Sequence, residues 1–408
     1  MFLRVLGKKK EGANTKPAPL FSMRANMAIS EAIEARLSPA VTSDGVQKRA
    51  RRVRFALRSQ HSGDLAVEPR PRNQDRPAPV VARNEDHLIL DLKDGQPCTI
   101  WTVFVIWSIF FFPYSSFFPA TIAAALYIAY RQLGYSVWVA CVALCLFSLS
   151  VPLYYNRAFR DVYFRRLHIK LAHYAKSSRA VIPAKKYPPG KNYVFGLHPH
   201  GRVMYSTLLL SQLNDVFRRV LPDGGGDVFG GVAATFFYVP IFRNWCYMLG
   251  AFSATKTLMR AQLDRGNNVA VTVGGVKEVC LPTYDDKDVL YLKKRFGFVK
   301  LALEAKAGLV PIYFFNENSL FKHDPLWFLK FWEAANRYVP IGVPLFRGIW
   351  NLPFPYRRDL LMAFGEPLFA EDDESVEEFH ARYTEAVKQL FDKYVGMSAD
   401  PKHKLVIV

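Results

Sequence analysis

Cysteine is scarce in this sequence, and none of it is arranged for disulfide or metal chemistry. The 408 residues contain five cysteines and no Cys-x-x-Cys pair: Cys98, Cys141, Cys145, Cys246 and Cys280. The number is odd and two of them lie inside a hydrophobic run, so we predict reduced thiols rather than a disulfide framework. The sequence also lacks Asn-x-Ser/Thr glycosylation motifs, which agrees with a catalytic domain outside the secretory lumen.

The usual marks of a covalent nucleophile are missing as well. No Gly-x-Ser-x-Gly elbow occurs, and neither Cys246 nor Cys280 has a histidine nearby in the sequence. We therefore predict chemistry that needs no covalent intermediate with the protein. The N-terminus has no short apolar core followed by a small-residue cleavage site, so no signal peptide is predicted.

Acidic residues are the minority charge, since 35 Asp and Glu are outnumbered by 54 Lys and Arg. A basic excess favours anionic partners such as phospholipid headgroups, nucleic acid or a phosphorylated cofactor. Residues 1–95 are basic and lack a hydrophobic period, so we predict a mostly disordered tail. Within it, Lys48–Arg54 resembles a nucleic-acid patch, but the lipid signals downstream favour a solvated tail near anionic headgroups. No nucleic-acid partner is predicted.

A hydrophobic block runs from Thr99 to Tyr155 and is interrupted at 131–134. Crossing a bilayer takes about 20 apolar residues, and Thr99–Tyr130 and Tyr135–Tyr155 are both long enough. We predict a transmembrane helical hairpin over 96–156; the alternative, two buried helices of a soluble core, is disfavoured because neither run has a polar face. The positive-inside rule places the flank after the second run, and with it both tails, in the cytosol. Its cations are Arg157, Arg160, Arg165, Arg166 and Lys170.

The pattern beyond the hydrophobic block alternates short apolar runs with helical stretches such as Phe298–Ala307. The strand candidates are Asn192–Gly196, Asn268–Val273, Leu309–Phe315 and Leu360–Phe364. This order predicts an α/β fold with a largely parallel sheet and flanking helices over residues 157–396, followed by a C-terminal tail at 397–408. An apolar stripe from Val376 to Tyr394 predicts a long final helix that packs on the sheet.

Two imidazoles follow the first strand candidate, in the segment His198-Pro199-His200-Gly201. Ligands bind at the carboxyl ends of strands in such sheets, and a neutral imidazole is a suitable base for an alcohol. Gly274 and Gly275 follow a second strand, and Glu278 is expected at the same edge. A His-x-His metal site and a pair of ordinary turn histidines are the alternatives; no metal is predicted, because no third ligand stands at a recognisable spacing.

Two basic groups are candidates for binding phosphates. The first accompanies aromatic residues at 293–300 and includes Lys294, Arg295 and Lys300; the second comprises Arg347, Arg357 and Arg358. For both groups a solvated charged surface is the alternative.

Taken together, these motifs resemble the type-2 diacylglycerol O-acyltransferase family, with its monoacylglycerol and wax-alcohol relatives. The resemblance covers roughly residues 99–395 and starts from the histidine segment and Gly274–Glu278. It continues through Arg295–Leu303, Leu309–Tyr313, Glu317-Asn318, Pro355–Arg358, Gly365-Glu366-Pro367 and Tyr383–Lys393. The sequence departs from the family pattern at Tyr163-Phe164-Arg165, at Arg202, where an apolar residue is usual, and at Asn316, where glycine is common.

The resemblance implies a membrane-anchored acyltransferase domain in the endoplasmic reticulum membrane, facing the cytosol, and at lipid droplets. It implies acyl-CoA as cosubstrate, no bound cofactor, and diacylglycerol as acceptor, with monoacylglycerol or a wax alcohol as alternatives. His200 is then the base, Glu278 its carboxylate partner, and His198 a residue that shapes the site. The alternative that is not an enzyme is a catalytically inactive lipid-binding protein. The sequence is compatible with a homo-oligomer.

Overall fold

The structure is a computed structural model, and only part of the chain is described. The described residues are 80–83, 85–93, 97–100, 102–103, 127–150, 155–156, 158, 160, 169–210, 214–238, 242–322, 325–335, 347–352 and 354–408. Most of the predicted tail, including Lys48–Arg54, lies outside these ranges, as does most of the first predicted span.

A largely parallel sheet organises the described part of the chain. Its strands are β1 (Val80–Arg83), β2 (His87–Asp91), β3 (Ser177–Pro183), β4 (Tyr193–His198), β5 (Val228–Val232), β6 (Ala251–Ser253), β7 (Asn268–Thr272), β9 (Gly308–Phe315) and β10 (Asp359–Phe364). They pair in the order β1-β2-β3-β10-β9-β4-β7-β5-β6. The neighbours from β9 to β6 are all parallel, whereas β10 runs antiparallel to β9. The carboxyl ends of β9, β4 and β7 therefore share one side of the sheet, which we call the carboxyl edge.

Helices connect these strands. They are α1 (Tyr135–Ser150), α2 (Ile169–Tyr174), α3 (Tyr205–Leu210), α4 (Asn214–Val220), α5 (Phe242–Met248), α6 (Lys256–Asp264), α7 (Gly275–Val279), α8 (Gly297–Ala305), α9 (Leu326–Ala335) and α10 (Val376–Tyr394). Short 3₁₀ turns lie at Ala234–Tyr238, Glu317–Leu320, Ile349–Asn351 and Val395–Met397. The four predicted strands and the final helix are confirmed, with boundaries shifted by one or two residues. These elements confirm the α/β class and the largely parallel sheet.

The sheet separates two hydrophobic cores because side chains alternate between its faces. On β4, Tyr193 and Phe195 enter the core that also contains Tyr205 of α3. Val194 enters the other core, beneath Phe298 of α8 and Tyr383 of α10. His198 shares the parity of Val194, so it faces the side of the sheet that α8 and α10 cover.

Both predicted tails include strands that belong to the domain, so the predicted tails are too long. Within 1–95, β1 pairs with β2, and β2 pairs with β3, burying Leu90 completely. Within 397–408, strand β11 (Lys404–Ile407) pairs in parallel with β8 (Lys287–Leu290) in a second sheet. Short apolar runs are present at both places, but the local sequence gives little indication that they are strands, since β2 and β11 each pair with a partner far along the chain.

The second hydrophobic run forms α1, which is 16 residues long, and a π-helical turn, Ala129–Leu133, precedes it. Among the residues the structure describes, no helix has both the length and the apolar character needed to cross a membrane. The Ser148 hydroxyl of α1 donates to Asn244 Oδ1 of α5 at 2.7 Å. Arg160, predicted as part of a cytosolic flank, is buried and bridges to Asp227 at 3.4 Å.

Candidate active site

The loop after β4 carries both candidate histidines at the carboxyl edge. His198 is the last residue of β4, and its peptide bond to Pro199 is cis. Gly201 has a φ of +63°, and a Cβ there would collide with the side chain of Glu317. Glycine is therefore required at this position both by the backbone conformation and by the close approach of a carboxylate.

His200 has a defined tautomer. Its Nδ1 lies 3.0 Å from the carbonyl oxygen of Gly201. A carbonyl only accepts hydrogen bonds, so Nδ1 carries the proton and Nε2 is left as the basic nitrogen. Burial lowers the pKa of His200 to about 4, with the positive charge of Arg295 acting in the same direction. The imidazole is therefore neutral at pH 7 and able to accept a proton.

Glu278 contacts the histidine loop in a way that differs from the sequence-based prediction. Its Oε1 accepts from the backbone N–H of His200 at 2.6 Å, and Oε2 accepts from the backbone N–H of Tyr291 at 2.8 Å. The carboxylate thus holds the main chain of residue 200 rather than its imidazole. Because α7 begins shortly after β7, the Glu278 side chain points toward the backbone of the neighbouring histidine loop. Burial raises the pKa of Glu278 to about 7.

The side chain of His198 is buried against α10. Its side chain is 1% exposed, and Nε2 lies 2.8 Å from the hydroxyl of Tyr383 on α10. Nδ1 is buried without a hydrogen-bond partner among the described residues. Burial lowers the pKa of His198 to about 3, so this ring is also neutral. Gly196, two residues earlier on β4, leaves the space through which the Tyr383 hydroxyl reaches the histidine.

Glu317 belongs to the site, although no role for it was predicted. It lies in the 3₁₀ turn after β9 and is 2% exposed. Its two oxygens accept from the backbone N–H groups of Tyr205 and Ser206 at 2.7 and 2.9 Å, which caps the start of α3. Burial raises the pKa of Glu317 to about 7. Glu278 and Glu317 therefore hold the His198–Tyr205 loop from two sides. In the sequence, the Glu317-Asn318 pair, which matches the family pattern, was the signal that could have indicated a role for Glu317.

Two departures from the family pattern have a structural explanation. Arg202 is buried, and its guanidinium donates to the backbone carbonyls of Val279 and Leu281, which ties the histidine loop to the end of α7. Asn316 has a φ of +68° and donates from its side chain to the carbonyl of Asp359 at 2.7 Å. Asparagine tolerates this left-handed conformation better than most residues, as glycine does.

The first basic group is beside the histidine loop. Arg295 donates to the carbonyl of Gly274, next to Gly275, and its guanidinium lies 5.1 Å from the centroid of the Tyr291 ring. Lys277 of α7 lies 5.2 Å from the same centroid. Lys294 and Lys300 are exposed on the same segment. Lys277 and Tyr291 were absent from the predicted phosphate-binding set, because only the fold brings α7 against the loop after β8.

The second basic group lies farther along the carboxyl edge. Arg357 donates to the carbonyl of Tyr174 at 2.9 Å, and Arg358 donates to that of Ser319 at 3.2 Å. Arg358 lines a cleft of about 260 Å³ with Asp288 and His403. Asn318 borders both this cleft and the smaller one beside Gly201 and Glu278. The backbone of Arg347 accepts from Lys322 at 2.7 Å. These contacts place the second group outside the histidine loop.

Similarity to known proteins identifies the family. A family model described as diacylglycerol acyltransferase matches residues 135–408. The chain belongs to that family. The match confirms the resemblance drawn from the motifs and the predicted enzyme class, an acyl-CoA:diacylglycerol O-acyltransferase.

Curated relatives of two kinds are similar to this member of the diacylglycerol acyltransferase family. 2-Acylglycerol O-acyltransferase 1 of Bos taurus is 31% identical over 236 residues, covering 54% of this chain and 70% of that protein. Diacylglycerol O-acyltransferase 2A of Umbelopsis ramanniana is 30% identical over 249 residues, covering 55% and 68%. The solved 1-acyl-sn-glycerophosphate acyltransferase PlsC from Thermotoga maritima aligns over 71% of this chain and 95% of its own at 15% identity, with a TM-score of 0.36.

Proposed function

We propose that this protein esterifies diacylglycerol with the acyl group of acyl-CoA, and that Nε2 of His200 is the general base. The observation that carries the proposal is the fixed tautomer of His200. The contact with the Gly201 carbonyl directs the basic nitrogen away from the main chain, and Glu278 holds the backbone of the same residue. A base that is neutral and oriented before substrate arrives is suited to general-base catalysis.

The reaction then needs no covalent enzyme intermediate. The acceptor hydroxyl gives its proton to Nε2 of His200 as its oxygen bonds to the thioester carbonyl carbon. Collapse of the tetrahedral adduct breaks the carbon–sulfur bond, and the proton passes to the departing sulfur of CoA. Arg295 brings a fixed positive charge beside His200, which suits stabilisation of the oxygen that becomes negative.

The exposed cations around Arg295 suit the phosphates of CoA. Lys277 stands against Tyr291, and Lys294 and Lys300 extend the positive surface along the start of α8. Phosphates bind to such clusters through charge-assisted hydrogen bonds. We assign acyl-CoA to this side of the histidine loop. The second basic group, with Arg347, Arg357 and Arg358, lies beyond Asn318 and is not part of this assignment.

Monoacylglycerol is the second candidate acceptor, favoured by one observation: relatives about as similar to this chain as the diacylglycerol enzymes are named 2-acylglycerol O-acyltransferase. The motifs favour diacylglycerol, and we retain it as the main proposal. An inactive lipid-binding protein is disfavoured because His200, Glu278 and their contacts are intact. We place the protein in the endoplasmic reticulum membrane and at lipid droplets, with the catalytic domain facing the cytosol.

Expression in a yeast strain without triacylglycerol synthesis tests the reaction. Wild-type protein should restore triacylglycerol made from labelled acyl-CoA, and His200→Ala should not. Lys388→Ala, a change at an exposed residue of α10, is the matched control and should behave as wild type. Label that appears only in wax esters would contradict the acceptor, and label only in diacylglycerol would favour the monoacylglycerol alternative. Label only in phospholipid would contradict the reaction class.

A further inference from the structure

An exposed group of large apolar side chains lies on two neighbouring segments. We call it the aromatic patch and define it as Leu326, Trp327 and Phe331 of α9 with Trp350 and Leu352 of the Ile349–Asn351 turn. Trp350 is 84% exposed, Trp327 71% and Phe331 61%. Single exposed apolar residues are ordinary, but a cluster with two tryptophans usually marks an interaction surface.

Lys322 joins the two segments. Its backbone N–H donates to the carbonyl of Arg347 at 2.7 Å, and its ammonium group donates to Asn351 Oδ1 at 2.7 Å. Leu326 follows only four residues later, and four extended residues span at most about 14 Å. Lys322 therefore ties the Trp350 turn to the segment that leads into α9, and both exposed apolar groups lie within a short stretch of chain from it.

The backbone at Trp350 is unusual for a bulky residue. Its φ is +54°, in the left-handed region. The turn is closed by Gly348 N–H donating to Leu352 O at 2.7 Å and Ile349 N–H donating to Phe354 O at 2.9 Å. Left-handed backbone at residues other than glycine is disfavoured and often marks a functional position. Here it projects an indole outward rather than into the core.

The charges around the aromatic patch are mainly positive. Lys322 and Lys330 are exposed, and Arg347 is half-buried, whereas Glu333 is the acidic side chain described on α9. On a helical wheel Lys330 lies closer to the exposed Trp327 than to the buried Leu329. Tryptophan and lysine together suit the headgroup region of a bilayer, where the indole lies at the interface and lysine meets lipid phosphates.

The patch is linked to the catalytic edge through a short segment. Lys322 lies two residues after the turn that contains Glu317, the carboxylate that caps α3 beside the histidine loop. Tyr356, after the Trp350 turn, donates its backbone N–H to Leu320 in the same 3₁₀ turn. Both halves of the aromatic patch therefore emerge from the side of the sheet at which His200 lies.

We infer that the aromatic patch is a lipid-contact surface of the catalytic domain, which inserts Trp350 and Trp327 between phospholipid headgroups and seats the carboxyl edge on the bilayer. An acylglycerol acceptor then reaches His200 laterally, without passing through water. This entry route rests on the proposed function, whereas the lipid contact does not.

Fluorescence of the full chain in phosphatidylcholine–phosphatidylserine vesicles tests the contact directly. The emission of Trp350, obtained as wild type minus Trp350→Phe, should be quenched by phospholipids brominated on their acyl chains. The same subtraction with Trp327→Phe should give the same result. If brominated lipid leaves the emission unchanged, the inference is overturned. This outcome includes the case in which a bound protein shields the indoles.

Kinetics test what the contact does. Trp350→Glu should lower the rate on diacylglycerol presented in vesicles by about 10-fold, while the rate on a water-soluble short-chain diacylglycerol stays within about twofold. Leu258→Glu, at an exposed apolar residue of α6, is the matched control and should change neither rate. Equal losses on both acceptors, or no loss on either, would overturn the seating role. If wild-type protein forms no product, the proposed function fails, and the quenching measurement still decides the lipid contact.

Discussion

At the scale of single residues, the two imidazoles of the histidine loop have different environments and so different roles. His200 is half-buried with Nδ1 bonded to a carbonyl, whereas His198 is fully buried against Tyr383. The sequence predicted both histidines, and the family resemblance implied that the more accessible one, His200, is the base. Which nitrogen is basic follows from the local backbone conformation at Gly201, and the contact of Glu278 with a backbone N–H follows from tertiary packing; sequence spacing reveals neither.

His200→Ala should lower turnover by roughly 10²–10⁴-fold, the usual effect of removing a general base. The variant must reach the membrane at wild-type abundance, which immunoblotting checks. Intact-protein mass spectrometry with acyl-CoA and no acceptor should show no acyl group attached to wild-type protein. Near-normal activity of the variant, or a transfer-competent adduct on Cys246 or Cys280, would contradict the histidine mechanism.

Glu278→Gln should change how stability depends on pH. Burial raises the pKa of Glu278 from 4.5 to about 7, so the folded state holds more protons across that window than the unfolded state. The free energy of unfolding therefore loses this contribution as pH rises through about 7. Relative to the variant, wild type should be most stable below about pH 4.5, and this advantage should fall as pH rises and be gone by about pH 8. Thermal unfolding of both proteins in detergent measures the difference; a constant difference would contradict a titrating buried carboxyl.

At the scale of elements, the position of the loop depends on caps supplied by distant segments. Glu317 begins the turn after β9, yet it caps α3, which follows β4. Strands β4, β7, β9 and β10 were predictable because each is an apolar run within the alternation of strands and helices. The strands β2 and β11 were not, since these short apolar runs gain their stability from partners far along the chain.

Glu317→Ala should lower turnover by about 10-fold to 10²-fold with little change in the KM for acyl-CoA, because small displacements of a catalytic group are costly. It leaves two buried N–H groups unpaired, which should also reduce the unfolding free energy by about 1–3 kcal/mol. Ser375→Ala is the matched control. It removes the capping box of α10, costs about 1 kcal/mol, and should leave turnover unchanged. Equal turnover losses in both variants would indicate a purely structural role for Glu317.

At the scale of the whole molecule, membrane topology remains a prediction from the hydrophobic block and its cationic flank. Two spans over 96–156 would return both ends of the chain to the cytosol. Protease added to sealed microsomes should then remove epitope tags from the N-terminus and the C-terminus alike. Detergent-treated microsomes provide the control for tag accessibility. Protection of either tag would indicate an odd number of spans and contradict the hairpin.

The gap at Gly196, through which the Tyr383 hydroxyl reaches His198, couples two positions that are distant in the sequence. A methyl group at 196 would collide with that hydroxyl, so Gly196→Ala should be harmful in a chain that keeps tyrosine at 383. Tyr383→Phe removes the colliding atom together with the bond to His198. In a double-mutant cycle, the cost of the alanine should therefore fall once phenylalanine is present. Across a lineage this is epistasis in the size of an effect: the strand tolerates the alanine better once the last helix has changed.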